Sequence, residues 1–77
     1  MRYFDFEGFG LALSGRMKIA ALTLREAGKQ AGVTTATFYR AETGEPVHLQ
    51  HAVSLAEWLT LPLDTFCRTR RENSGAE

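Results

Sequence analysis

Apolar residues in the middle of the chain recur at helical spacing between sharp start and stop signals. Leu22-Thr23-Leu24-Arg25-Glu26 reads as a helix start, with Thr23 as cap and Glu26 reaching back to the Thr23 N–H. The helix runs from Leu24 to about Ala31 and stops at Gly32, a residue free to take positive φ beyond the last turn. After Val33, Thr34 or Thr35 caps a second helix over about Thr35 to Glu42. Gly44 ends it and Pro46 blocks its continuation. Leu49, Ala52, Val53, Ala56 and Leu59 form one apolar stripe, which predicts a longer helix from about His48 to Leu59. Leu61-Pro62-Leu63 makes a turn into a last short helix, about Leu63 to Arg68, with Leu63 and Phe66 inward. Arg68, Arg70 and Arg71 suit its C-terminal end, where the helix dipole favours cations.

Upstream, Phe9, Leu13, Met17 and Ala20 share one face of a first helix from about Phe9 to Ala21. Gly10 and Gly15 oppose it by ~1 kcal/mol each relative to Ala. Residues 3–6 read either as a short strand or as an aromatic plug on the core. The fold class is therefore all-α, a compact five-helix domain. One domain spans residues 1–71, with an aromatic arm at 1–8 and a fraying polar tail at 72–77.

Length and composition narrow the function classes. A chain of 77 residues holds one small domain. Its 44% hydrophobic content excludes disorder throughout. A lone Cys67 allows no internal disulfide and fits a reducing compartment. No apolar run is long enough for a membrane span, and Asp5 and Glu7 stand where a signal peptide needs its apolar stretch, so a cytoplasmic protein is expected. Nine basic and nine acidic residues cancel, which excludes nucleic-acid binding driven by bulk charge. The distribution is uneven. Arg16, Lys18, Arg25, Lys29 and Arg40 against Glu26 give residues 16–40 a charge of +4, and the flanks are acidic. A positive face on a neutral protein is one reading of this, and ordinary scatter on solvated faces is the other.

Two short helices joined by a glycine turn form a helix-turn-helix candidate at about residues 23–43. Gly28, mid-helix, costs about 1 kcal/mol unless another backbone passes close by. Gly32 makes the turn, and Phe38 falls where the second helix must drop an apolar side chain into the core. The stretch Leu-Thr-Leu-Arg-Glu-Ala-Gly-Lys-Gln-Ala-Gly-Val-Thr-Thr-Ala-Thr-Phe-Tyr-Arg-Ala-Glu-Thr-Gly-Glu, followed by the helices of Leu49 to Phe66, resembles the lambda-repressor/Cro-like (XRE-type) helix-turn-helix family over about 45 of the 77 residues. That resemblance implies a five-helix DNA-binding domain, usually dimeric, most often in a bacterial or phage transcription regulator. The chain departs from the pattern with Leu24 in place of a backbone-contacting Gln, Gly28 for Ala, and Ala27 for Leu. Phe38 replaces Ile or Val, Ala41 replaces Ile, and Arg16 falls near an apolar position. Volume lost at Ala27 is regained at Phe38.

With Phe38 inward at 100° per residue, Arg40 and Ala36 lie about 160° away and Thr43 about 140° away, so these face outward. Tyr39 and Thr37 flank at about 100°, and Tyr39 also reads as half-buried core. Thr34 and Thr35 sit at the helix N-terminus, the end that leads into the groove in this docking mode. Arg40 suits guanine O6 and N7 or a phosphate, Ala36 and the threonine methyls suit a thymine methyl, and the Thr34, Thr35 and Tyr39 hydroxyls suit bases or phosphates. Thr23 and the free N–H groups of the preceding helix start form a phosphate site, with Arg25 and Lys29 beside it. The family positions that match are Thr35, Ala36, Tyr39 and Arg40.

His48 and His51, with Cys67 and Glu45, are the best metal candidates, but no paired-cysteine spacing supports them, and a surface helix explains the histidines. No phosphate loop, nucleophile elbow or paired-carboxylate pocket is present, so no enzyme, cofactor or metal is expected. The expected function is sequence-specific binding of double-stranded DNA by a transcriptional regulator, a repressor, with few phosphate contacts and a shallow salt slope. A homodimer on two half-sites is the expected partner state. Tyr3, Phe4, Phe6, Trp58, Leu61, Leu63 and Phe66 either build a dimer patch or fill a single core. A DNA-binding antitoxin with a toxin partner, or a helix-turn-helix used for protein contact alone, are the alternatives.

Overall fold

The computed structural model describes residues 2–69 of the chain. In chain order these form β1 (Arg2–Phe4), α1 (Phe6–Ile19), α2 (Leu24–Ala31), α3 (Thr35–Glu42), α4 (Leu49–Leu59), a 3-10 turn (Leu63–Phe66) and β2 (Cys67–Thr69). The domain is mostly helical but not all-α, and the described residues form four α-helices rather than five. The expected last helix is a single 3-10 turn behind Pro62, because the chain straightens at Cys67 to pair with β1. The two strands run antiparallel, with Arg2 opposite Thr69, Tyr3 opposite Arg68 and Phe4 opposite Cys67. Arg70, Arg71 and the tail at 72–77 lie outside the described residues.

Asp5 sets both the start of α1 and the closure of the ends. Its carboxylate accepts the Gly8 N–H at 2.9 Å as an N-cap, so α1 begins before Phe9. Its other oxygen meets the Arg68 guanidinium at 3.2 Å, and its N–H donates to the Phe66 carbonyl at 2.7 Å. Arg68 therefore serves the N-terminus of α1 from a strand, and its Nη1 also donates to the Thr65 carbonyl at 2.7 Å, at the C-terminal end of the 3-10 turn where a cation is expected. Residues 3–6 satisfy both of the expected readings: the backbone of 2–4 is a strand, and the Phe4 ring turns inward. It meets Phe9 edge-on at 5.2 Å, and Phe9 meets Phe66 at 5.0 Å.

The core is one cluster built on Phe9, Leu13, Phe38 and Leu55, all fully buried, and closed by small residues such as Ala27 and Ala41. Helix α4 is rotated from its expected stripe. Ala52, Ala56 and Leu59 are buried as predicted, but Leu55 and Trp58 join them, while Leu49 and Val53 face solvent. Trp58 belongs to the core. Its ring lies edge-on to Phe38 at 5.4 Å, its indole N–H donates to Gln30 Oε1 at 3.1 Å, and the Arg16 guanidinium lies over it at 5.1 Å. The apolar position expected at Arg16 is thus filled by a cation stacked on an aromatic face. Of the proposed dimer-patch residues, Trp58 and Phe66 are buried and Phe4, Phe6 and Leu63 half-buried, leaving Tyr3 and Leu61 exposed.

All four helices close in the same way. One N–H just past each helix donates back to a carbonyl five residues earlier: Leu22 to Met17, Val33 to Gly28, Glu45 to Arg40 and Leu61 to Ala56, at 3.0, 3.0, 3.0 and 3.1 Å. The residue before each donor is left-handed: Ala21, Gly32, Gly44 and Thr60. This is the Schellman arrangement, which satisfies carbonyls that the helix end would leave bare.

Candidate functional site

The candidate site is the α2–turn–α3 unit. Thr23 and Glu26 make the predicted reciprocal cap, with the Thr23 N–H donating to Glu26 Oε1 at 2.9 Å and the Glu26 N–H to Thr23 Oγ1 at 3.1 Å. At Gly28 a Cβ would stand 3.2 Å from the Val33 carbonyl and 3.4 Å from that of Thr34. The backbone entering α3 therefore passes across α2 where the side chain is missing, as the glycine spacing required. Thr34 caps α3, its hydroxyl oxygen accepting the Thr37 N–H at 3.1 Å.

A second glycine, whose role the sequence pattern did not reveal, docks this unit on the rest of the molecule. A Cβ on Gly10 would lie 2.7 Å from the Ala41 carbonyl, 2.8 Å from that of Glu42 and 2.9 Å from the Gly44 nitrogen. Helix α1 thus touches the end of α3 backbone to backbone. Gly15, on the same helix, faces no atom within 4 Å. In one dimension the two glycines look alike; the difference lies in what crosses them.

On α3, Phe38 and Ala41 are buried, while Thr35, Ala36, Tyr39 and Arg40 are exposed and Thr37 is half-buried. Tyr39 is 55% exposed, which settles its two readings in favour of the outward one. Ala36, Thr37, Tyr39 and Arg40 line one shallow depression together with Glu45. Thr34 hydrogen-bonds to Thr37, its hydroxyl donating to Thr37 Oγ1 at 3.0 Å, which leaves the Thr37 hydroxyl proton free for a ligand. Thr43, exposed just past α3, donates its hydroxyl to the Arg40 carbonyl at 3.0 Å. Thr23 and Arg25 are exposed at the start of α2 and do not line the α3 depression.

Glu45 is the site residue that sequence reasoning missed, having been considered only as a metal ligand. Its Oε1 lies 3.5 Å from Arg40 Nε, both side chains being well exposed. The signal that could have found it is Gly44-Glu45-Pro46 directly after a helix carrying Arg40. The histidine pair shows no metal geometry: the His48 and His51 rings stand edge-on with centroids 6.0 Å apart, and among the described residues no group of three or more potential ligands converges. No helix among the described residues is long and apolar enough to cross a membrane.

The exposed face of α3 offers an arginine fork, hydroxyls and methyl groups on one rigid element with its backbone satisfied. Such a set matches a surface of mixed acceptors and methyls. Fold and site together define a small helical domain with a helix-turn-helix unit. The same fold occurs in the crystal structure of the clp gene regulator ClgR from C. glutamicum, which matches with a TM-score of 0.59 at 22% identity over 79% of this chain and 80% of that one. No protein-family model and no curated protein matches the chain.

Proposed function

We propose that this protein is a sequence-specific double-stranded DNA-binding transcriptional regulator of the lambda-repressor/Cro-like kind, acting as a repressor. Helix α3 enters the major groove, N-terminus first. The observation that carries this reading is the composition of the α3 face: Ala36, Tyr39 and Arg40 project from a helix whose opposite side is locked by Phe38 and by the Gly10 crossing. Arg40 supplies the fork for guanine, Ala36 and the Thr35 and Thr37 methyls pack on thymine, and Tyr39 and Thr34 reach the backbone. Thr23, Arg25 and the open N–H groups at the start of α2 take a phosphate. Thr43 flanks the groove at the far end. The similarity of fold to a protein described as a gene regulator supports the same reading.

With zero net formal charge, one copy has little electrostatic affinity to spend, so two copies on two half-sites supply the useful binding. The protein acts in the cytoplasm without cofactor and without catalysis. A shallow apolar depression lined by Ala12, Ile19, Leu59 and Leu61 favours a protein contact in addition. It serves the second copy, or a toxin in the antitoxin alternative.

Fluorescence anisotropy with the duplex upstream of the protein's own gene, a scrambled duplex and two salt concentrations tests this directly. Preference for the native duplex is expected, with Arg40→Ala losing ~10-fold or more of that preference. Absence of binding to either duplex at low salt would overturn it.

A further inference from the structure

The four helix ends share one motif, and one of them is different. At the donor position of that motif stand Leu22, Val33 and Leu61 after α1, α2 and α4, but Glu45 after α3. An apolar residue is usual there, because that position leans back over the last helical turn. In α3 the residue it leans toward is Arg40, the single basic residue of the helix. The motif therefore presents a carboxylate to the arginine, and the two meet at 3.5 Å through Nε.

We infer that Glu45 is a positioning residue for Arg40, holding the guanidinium by its Nε edge so that the two terminal nitrogens point to a guanine. This rests on the DNA-reading assignment of α3. Three constraints fix the Glu45 backbone, from which the carboxylate reaches Arg40. The Glu45 N–H is bound to the Arg40 carbonyl at 3.0 Å, Gly44 takes the left-handed turn at φ 90°, and Pro46 restricts the Glu45 backbone to extended conformations. The Thr43 hydroxyl also donates to that carbonyl, so two donors meet the Arg40 carbonyl at the end of α3. Both side chains are 62% exposed, and such a pair adds little to folding. Its consequence is geometric. A free arginine samples many rotamers, and ordering it on a base costs affinity. Bidentate recognition of O6 and N7 uses a two-nitrogen edge of the fork, and contact through Nε leaves the terminal edge open.

A carboxylate beside DNA also repels phosphates, and that effect is the same for every sequence. A ratio of affinities cancels it. The experiment is selection from a random duplex pool by wild type, followed by competition anisotropy on the selected duplex and its single-base variants, using wild type, Arg40→Ala and Glu45→Gln. Circular dichroism checks that both variants fold. The expected result is one guanine whose preference Arg40→Ala abolishes and Glu45→Gln lowers by about 3-fold, other positions being unchanged. If wild type enriches no sequence, the DNA-reading assignment fails and the inference with it. If a sequence is enriched but Glu45→Gln keeps the full guanine preference, the inference alone is overturned. It is overturned equally if that variant binds all duplexes more tightly by one common factor, since Glu45 is then a mere competitor for Arg40.

Discussion

The central pair of helices and the two helices that frame it use the same terminal motif with different residues. Helices α2 and α3 place glycine in the left-handed position, Gly32 at φ 80° and Gly44 at φ 90°. Helices α1 and α4 place Ala21 at φ 56° and Thr60 at φ 59°, where a Cβ crowds the following carbonyl at a cost of roughly 1–2 kcal/mol per residue. The pair is thus relaxed within itself, with caps at Thr23 and Thr34 and glycines at both ends. The frame is held through tertiary contacts: Leu13 and Leu55 in the core, Trp58 against Phe38, and Asp5 against Arg68. A locally determined helix-turn-helix unit sits on a scaffold determined at long range.

The contact between the two regions gives the largest expected effect. Gly10→Ala pushes a Cβ onto three backbone atoms of the α3 end that cannot rotate away. The gain in helix propensity, about 1 kcal/mol, does not offset the clash. A net loss of about 2–3 kcal/mol is expected, read as a drop of about 10 °C or more in thermal melting. An unchanged melting temperature would mean that α1 and α3 slide freely at this crossing.

Smaller effects of opposite sign sharpen the comparison of helix ends. Gly32→Ala meets nothing within 4 Å, so its cost is purely conformational, about 1 kcal/mol in urea denaturation. Thr60→Gly relieves the strained end of α4 and gains about 0.5 kcal/mol, part of the relief being lost to the more flexible unfolded chain. Two shifts of the same sign would contradict the division between a relaxed pair and a strained frame.

The same division explains what could be read from the sequence. Thr23 with Glu26, Gly32, Thr34 and Gly44 act within a few residues of themselves, and each stands where the pattern put it. Phe38 points inward and Arg40 outward because one helical period separates core from surface on α3. The pairing of Phe4 with Cys67 joins the two ends of the described chain, so local periodicity carries no trace of it. A four-residue 3-10 turn at Leu63–Phe66 is too short to show a period, and Phe66 inward looks the same in either geometry. Arg16 breaks the apolar pattern because its neighbour Trp58 lies on another helix. Glu45 was legible as charge but not as a partner, since its meaning depends on the helix end turning it back onto Arg40.

The most direct test of the α3 assignment is a 1H–15N NMR titration of the folded protein with the duplex it selects. The largest amide shifts are expected at Thr34 to Thr43, smaller ones at Thr23 and Arg25, and little change in the β1–β2 pair. Shifts confined to the apolar depression of Ala12, Ile19 and Leu61, with α3 silent, would contradict the assignment.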